Sequence, residues 1–163
     1  MELRDLYNSK KILTGEVIEK GQNVPKGYYY ITVVVFIEND KGEFLLQKRV
    51  EKKDGKWATT GGHPKSGESS LEGIVTEIKE ELGIDVKQNE LVLFKTERTN
   101  DDFVDMYYLR KNIDVNDVVL QEEEVDDVMW ASREKIQELI ENNKFSSSHQ
   151  EFYCSCLVFL DCN

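Results

Sequence analysis

The stretch from Ser69 to Gly83 constrains this chain more than any other. Ser69 carries a side chain suited to capping a helix N-terminus, and Glu72 follows three positions later, which is the spacing of a capping box. Gly83 comes directly after the last apolar position, where a left-handed residue closes a helix. Between these ends Leu71, Ile74, Val75, Ile78 and Leu82 recur at helical spacing. At about 100° per residue they share one arc of roughly 100°, so the predicted helix must bury a single stripe against another element.

The rest of the chain offers strands as partners. Residues 28–37 are β-branched and aromatic and predict a strand. Asn39-Asp40-Lys41-Gly42 is turn chemistry, and 44–48 reads as the returning strand. A charged loop over 51–56 leads to Trp57 and a short extended piece ending in Gly61-Gly62. Residues 90–96, 104–109 and 125–130 predict further strands, with helices over 133–142 and 147–160. Residues 1–26 are mostly polar, broken by Gly15, Gly21 and Pro25, and predict an N-terminal hairpin or arm. Without a repeat, a linker or regular βαβ alternation, the 163 residues predict one domain of the α+β class.

Charge narrows the partners. With 32 acidic and 21 basic side chains the formal charge is −11, which repels nucleic-acid polymers and anionic lipid. Phosphorylated small molecules are repelled too, unless cations stand between. The first residues carry acids and no apolar core of a leader, and apolar runs such as 33–37 are far too short to span a membrane. Cys154, Cys156 and Cys162 cluster near the C-terminus and make no disulfide framework. A zinc site with His149 is one reading of them. Buried free thiols at Cys154 and Cys156, in an apolar run, are the reading preferred, and a cytoplasmic location follows.

Glu77, Glu80 and Glu81 fall outside the apolar stripe, with Glu81 nearest its edge. Like charges at i, i+4 destabilise a helix by a few tenths of a kcal/mol, on the order of 0.2–0.5. One reading is a solvated face. The other is a magnesium site, since that ion takes oxygen ligands and is held by one or two carboxylates plus substrate phosphates. Glycines at 61 and 62, the Lys65-Ser66-Gly67 turn and Glu68 lie just upstream, where bare backbone can approach an ion or phosphate.

Gly62, Glu68 and the segment Glu77-Ile78-Lys79-Glu80-Glu81-Leu82-Gly83-Ile84 together resemble the Nudix box, G-x5-E-x7-R-E-U-x-E-E-x-G-U, at eight of its nine specified positions. The likeness extends over roughly residues 28–140, through Leu45-Leu46-Gln47-Lys48-Arg49, Trp57, Glu124-Val125 and Trp130. It implies an α/β/α sandwich around a mixed β-sheet. It also implies a pyrophosphohydrolase acting on an acid anhydride, a diphosphate linked to some moiety X, with Mg²⁺ or Mn²⁺ as cofactor. By the resemblance Glu77, Glu81, Glu80 and the Gly61 carbonyl hold the metal. The catalytic carboxylates are drawn from Glu77, Glu80, Glu81 and Glu124, with the general base left among the last three. Arg49, Lys48, Gly62 and His63 are the expected substrate contacts. The partner is a small molecule, with no nucleic-acid polymer or membrane, and the chain a monomer or homodimer.

Three points stay open in the sequence. Thr76 stands where the box has Arg, so either Glu68 turns to another cation, Lys65 or Lys79, or the site is looser and slower, and Thr76→Arg is expected to raise turnover. The same substitution is the best support for a non-catalytic ligand sensor. Gly62-His63-Pro64 also resembles isopentenyl-diphosphate isomerase, but Gly61 replaces the Cys that enzyme needs.

Overall fold

The computed structural model describes residues 1–162. In chain order, β1 (Leu3–Tyr7) and β2 (Leu13–Glu19) form a separate hairpin. Strands β3 (Tyr30–Glu38), β4 (Phe44–Arg49), β5 (Trp57–Ala58) and β6 (Thr60–Gly62) lead into helix α1 (Ser70–Leu82). Strands β7 (Leu91–Arg98), β8 (Asp102–Arg110) and β9 (Val125–Ala131) follow, then α2 (Arg133–Glu141) and α3 (Ser147–Asp161).

β3 is the axis of a mixed seven-stranded sheet. It runs parallel to β8 from Tyr30↔Asp102 to Glu38↔Arg110, while its other edge pairs antiparallel with β6 at Val33, Val34 and Val35. β4 leaves β3 after the Glu38↔Phe44 pair and continues between β9 and β5. The resulting gap between β4 and β6 opens beside the C-terminal half of α1.

Both faces of the sheet are covered, which is why β3 reads as an unbroken apolar run instead of an alternating one. Ile31, Val33, Val35 and Ile37 pack under Ile74, Ile78 and Leu82 of α1. Val34, Phe36, Phe44 and Met106 pack under Ile136 of α2 and Tyr153 of α3. The α1 stripe thus buries as its spacing requires, and the capping box closes reciprocally: Glu72 N–H donates to Ser69 Oγ at 3.1 Å and Ser69 N–H to Glu72 Oε1 at 2.9 Å. Gly83 ends the helix at φ +70°, a conformation costly for a side chain bearing Cβ.

The N-terminal hairpin is fastened to the sheet. Lys11 Nζ donates to both oxygens of Asp105 at 2.6 and 2.7 Å, and the Thr96 hydroxyl donates to Oδ1 at 2.6 Å. Asp105 is fully buried, so it requires this cation. At its other end the hairpin grips the loop before α1: Ser66 Oγ and Gly67 N–H both donate to Asp5.

The cysteine expectation needs one correction. All three thiols are free, but only Cys156 is buried while Cys154 is exposed. Two positions along a helix are about 200° apart, so both cannot face the sheet. No cluster of metal-binding type involves them among the described residues.

Candidate active site

Helical periodicity carries Glu81 to the edge of the buried stripe and the sheet gap then encloses it. Its residue is 7% exposed. Gly61 N–H donates to Oε2 at 3.3 Å, and the Gln47 side chain also bonds the carboxylate. One turn earlier, Glu77 receives the backbone N–H of His63. Burial pushes the Glu81 carboxyl up to about 8, with the charge of Glu77 adding to it. Burial likewise lifts Glu77 to about 7, with Glu80 as its largest charged neighbour. Neither acid has an ion-pair partner among the described residues. The nearest lysines, Lys53 and Lys65, pair with Glu124 and Glu80 instead, and two enclosed carboxylates without an ion pair are a destabilising arrangement that a divalent ion relieves.

Gly62 gives Glu77 its place. A Cβ built there would lie 2.3 Å from the Glu77 carboxyl carbon and 2.5 and 2.6 Å from its oxygens. At Gly61 a Cβ would lie 2.6 Å from the Val33 carbonyl oxygen, so the β3–β6 pairing itself needs a glycine.

Glu80 is turned differently: Lys65 Nζ donates to its Oε1 at 2.7 Å. The structure brings Glu77 and Glu81 together and holds Glu80 at the margin by this pair. The described residues accordingly contain no preformed group of three metal-binding side chains. Two carboxylates remain a sufficient protein set for Mg²⁺, which completes its shell with water and phosphate oxygens.

The expectation for Glu68 is corrected. Thr76 Oγ1 itself donates to Glu68 Oε2 at 2.7 Å, and the backbone N–H of Lys65 donates to Oε1 at 2.8 Å. The hydroxyl is short but points directly across the turn, so a threonine spans the gap. Lys79 pairs with Asp85 at 3.1 Å instead. The premise for a gain in Thr76→Arg is therefore gone. Thr76→Val is expected to lower kcat about tenfold, the scale of one lost hydrogen bond to a charged group. Steady-state kinetics on a variant with an unchanged melt would test this, and unaltered kcat would refute it.

These groups open on one cavity of about 520 Å³. Arg49 lines it and Lys48 does not, because successive residues of β4 face opposite sides of the sheet. Gly62 and His63 are in the wall. His63 Nδ1 lies 3.3 Å from the Ile31 carbonyl, and burial lowers its pKa. Glu124 also lines the cavity and pairs with Lys53. Sequence reasoning missed Lys53, Arg4 and Lys20, and it weighed His149 only as a zinc ligand; all four line the cavity. The hairpin carries Arg4 and Lys20 there from the far end of the chain. The resemblance names Arg49, Gly62, His63 and Glu124 of this lining, and the alternation of β4, which puts Gln47 and Arg49 on one face, is the signal that could have added Gln47.

Fold and cavity together define a three-layer domain with one polar cavity, lined by Glu77, Glu81 and further acids and by Arg4, Lys20, Arg49 and Lys53. The NUDIX domain family model matches residues 29–156, from just before β3 into α3. Over 150 residues the chain is 31% identical to a Nudix hydrolase of Listeria innocua, covering 89% of this chain and 88% of the relative. The chain belongs to the Nudix family. A stretch of 72 residues is 35% identical to isopentenyl-diphosphate Δ-isomerase of Pectobacterium atrosepticum, covering 42% of this chain and 40% of that enzyme. The crystal structure of a Deinococcus radiodurans protein superposes with a TM-score of 0.73 at 19% identity, over 89% of this chain and 92% of the other, a likeness of fold. Family membership supports hydrolysis of a pyrophosphate-type linkage in general, and Nudix hydrolases generally use divalent metal ions.

Proposed function

We propose that this protein hydrolyses the phosphoanhydride of a small molecule in which a diphosphate is linked to a moiety X, with Mg²⁺ or Mn²⁺ held by Glu77 and Glu81. The observation that carries the reading is the adjoining pair of half-buried Glu77 and buried Glu81, raised to about 7 and about 8 with no ion pair to either among the described residues. When bound, the ion neutralises the diphosphate and acidifies water. The chain's own residues do the rest. Gln47 and the Gly61 N–H orient Glu81, the His63 N–H orients Glu77, and Thr76 steadies the loop through Glu68. Arg49 and Lys53 face substrate oxygens from the opposite rim. Glu80 and Glu124, each paired with a lysine, are the carboxylates left to take a proton from the attacking water.

The isomerase likeness favours a second reading, which the site does not support. That reaction needs a thiol where this chain has Gly61, and a Cβ at 61 would press on the Val33 carbonyl.

The test is phosphate and diphosphate release from a panel of phosphoanhydrides with Mg²⁺ or Mn²⁺, isopentenyl diphosphate included. Binding without turnover across the panel would move the chain to the ligand-sensor reading.

Metal and proton compete for the same oxygens. Both carboxyls are raised above 4.5, so their protonated forms stabilise the fold below about 4.5 and that stability is lost as pH rises through about 7 and about 8. The metal-free melting temperature should therefore fall between pH 5 and 8.5, by these groups' contribution. The gain on adding Mn²⁺ should grow over the same interval, since binding no longer has to displace protons. Thermal melts across pH would show it; a gain independent of pH would count against Glu77 and Glu81 as ligands.

A further inference from the structure

One wall of the cavity offers hydrogen-bond donors with nothing to receive them. His149 lies in the first turn of α3, is 9% exposed, and sets its ring edge-on to Phe152 at 5.5 Å. Thr59 N–H donates to its Nδ1 at 3.3 Å, and the Thr59 hydroxyl lies 2.9 Å from the same atom. A ring nitrogen that accepts a backbone N–H carries no hydrogen itself, so the neutral ring bears its hydrogen on Nε2. Among the described residues Nε2–H meets no acceptor. It is not among the sealed side-chain donors that make no hydrogen bond, which are Nε of Arg4 and Nε of Arg49, each within ion-pair range of an acid. His149 lines the cavity.

The surroundings are donors as well. Arg49 shares the wall, close enough to act electrostatically on the imidazole. Ser148 precedes it, and Ser146 makes no side-chain cap bond, so the first N–H groups of α3 keep their partial positive charge on the same side. The nearby acids are engaged, Asp54 with Arg49 at 3.2 Å and Glu124 with Lys53. A wall of donors matches a group that only accepts, which is what a phosphate is and a nucleobase edge is not.

We propose that His149, Arg49 and the first turn of α3 form a subsite for a third phosphate, next to the diphosphate held at Glu77 and Glu81, so that triphosphate-type substrates are preferred over diphosphates whose X is uncharged. This rests on the hydrolase reading for its orientation but is testable apart from it. The chain has 2 histidines, so ring N–H resonances assign readily with one variant.

Inorganic tripolyphosphate and diphosphate would be titrated into the metal-free protein, followed by imidazole NMR and calorimetry. The expected result is a shift of the His149 Nε2–H signal with tripolyphosphate, and tighter binding than diphosphate. His149→Phe should weaken tripolyphosphate about tenfold, the scale of one charge-assisted hydrogen bond, and His149→Gln, which keeps an N–H at similar reach, should retain most of the affinity. If His149→Phe fails to fold, Arg49→Met tests the same wall from its partly exposed rim, with a larger loss expected for tripolyphosphate than for diphosphate. Equal affinity for both anions, or no loss in either variant, overturns the subsite. If tripolyphosphate binds as expected but nothing is hydrolysed with metal, the subsite stands and the hydrolase reading falls; hydrolysis of triphosphates indifferent to His149 and Arg49 does the reverse.

Discussion

Glu81→Gln should abolish metal-dependent hydrolysis while leaving a protein at least as stable as the parent at alkaline pH. Two effects of the same carboxylate are separated by this change. Under the proposed function its charge holds the metal, and losing one such electrostatic contact costs on the order of 10²–10³ in kcat. The same charge is a burden on the metal-free fold, because the residue is 7% exposed and its carboxyl sits at about 8. An amide of equal size still accepts the Gly61 N–H but has no proton to lose. The variant's metal-free melt should therefore be less sensitive to pH between 5 and 9 than the parent's, and Mn²⁺ should add little to it. Turnover retained within a few-fold would remove Glu81 from the metal site.

The adjacent glycines give the second test, since they differ in what a methyl group would strike. At Gly62 the new atom meets the Glu77 carboxyl at 2.3–2.6 Å, and Glu77 is a side chain that can swing aside. Gly62→Ala should fold with little loss of stability yet bind metal about 10–100-fold more weakly, as displaced ligands and supports do. At Gly61 the new atom meets the Val33 carbonyl at 2.6 Å, part of the central strand. Gly61→Ala should lose about 1–3 kcal/mol of stability, the usual cost of forcing atoms into a packed interior. Denaturant melts and metal titration on the pair would show whether function and stability divide as described. Normal metal affinity in Gly62→Ala would sink the assignment of Glu77.

What was legible in the sequence was local. The ends of α1 follow from Ser69, Glu72 and Gly83 because capping uses residues within one turn, and the burial of Glu81 follows from its angle to the stripe. Strand alternation separates Arg49 from Lys48 for the same reason. The reach of the Thr76 hydroxyl was not legible, since it depends on how the loop at Glu68 folds back over the helix. Arg4 and His149 were not legible either. They lie 145 positions apart in the chain, and only the docked hairpin and the start of α3 bring them to one cavity.

The clasp between Lys11 and Asp105 also orders events in time. Residue 11 leaves the ribosome long before residue 105, and Lys11 stands at φ +61°, a backbone setting that a non-glycine residue does not favour without compensation. Until β8 is laid beside β3 there is no buried anion to receive the lysine, and a loop of roughly 90 residues must first close. Of the hairpin's anchors, the Tyr7–Tyr29 backbone pair and the Asp5 contacts to Ser66 and Gly67 involve earlier residues, and the Asp105 clasp is the one that waits for β8. The side of the cavity that carries Arg4 is therefore braced by residues from the two ends of a 94-residue separation.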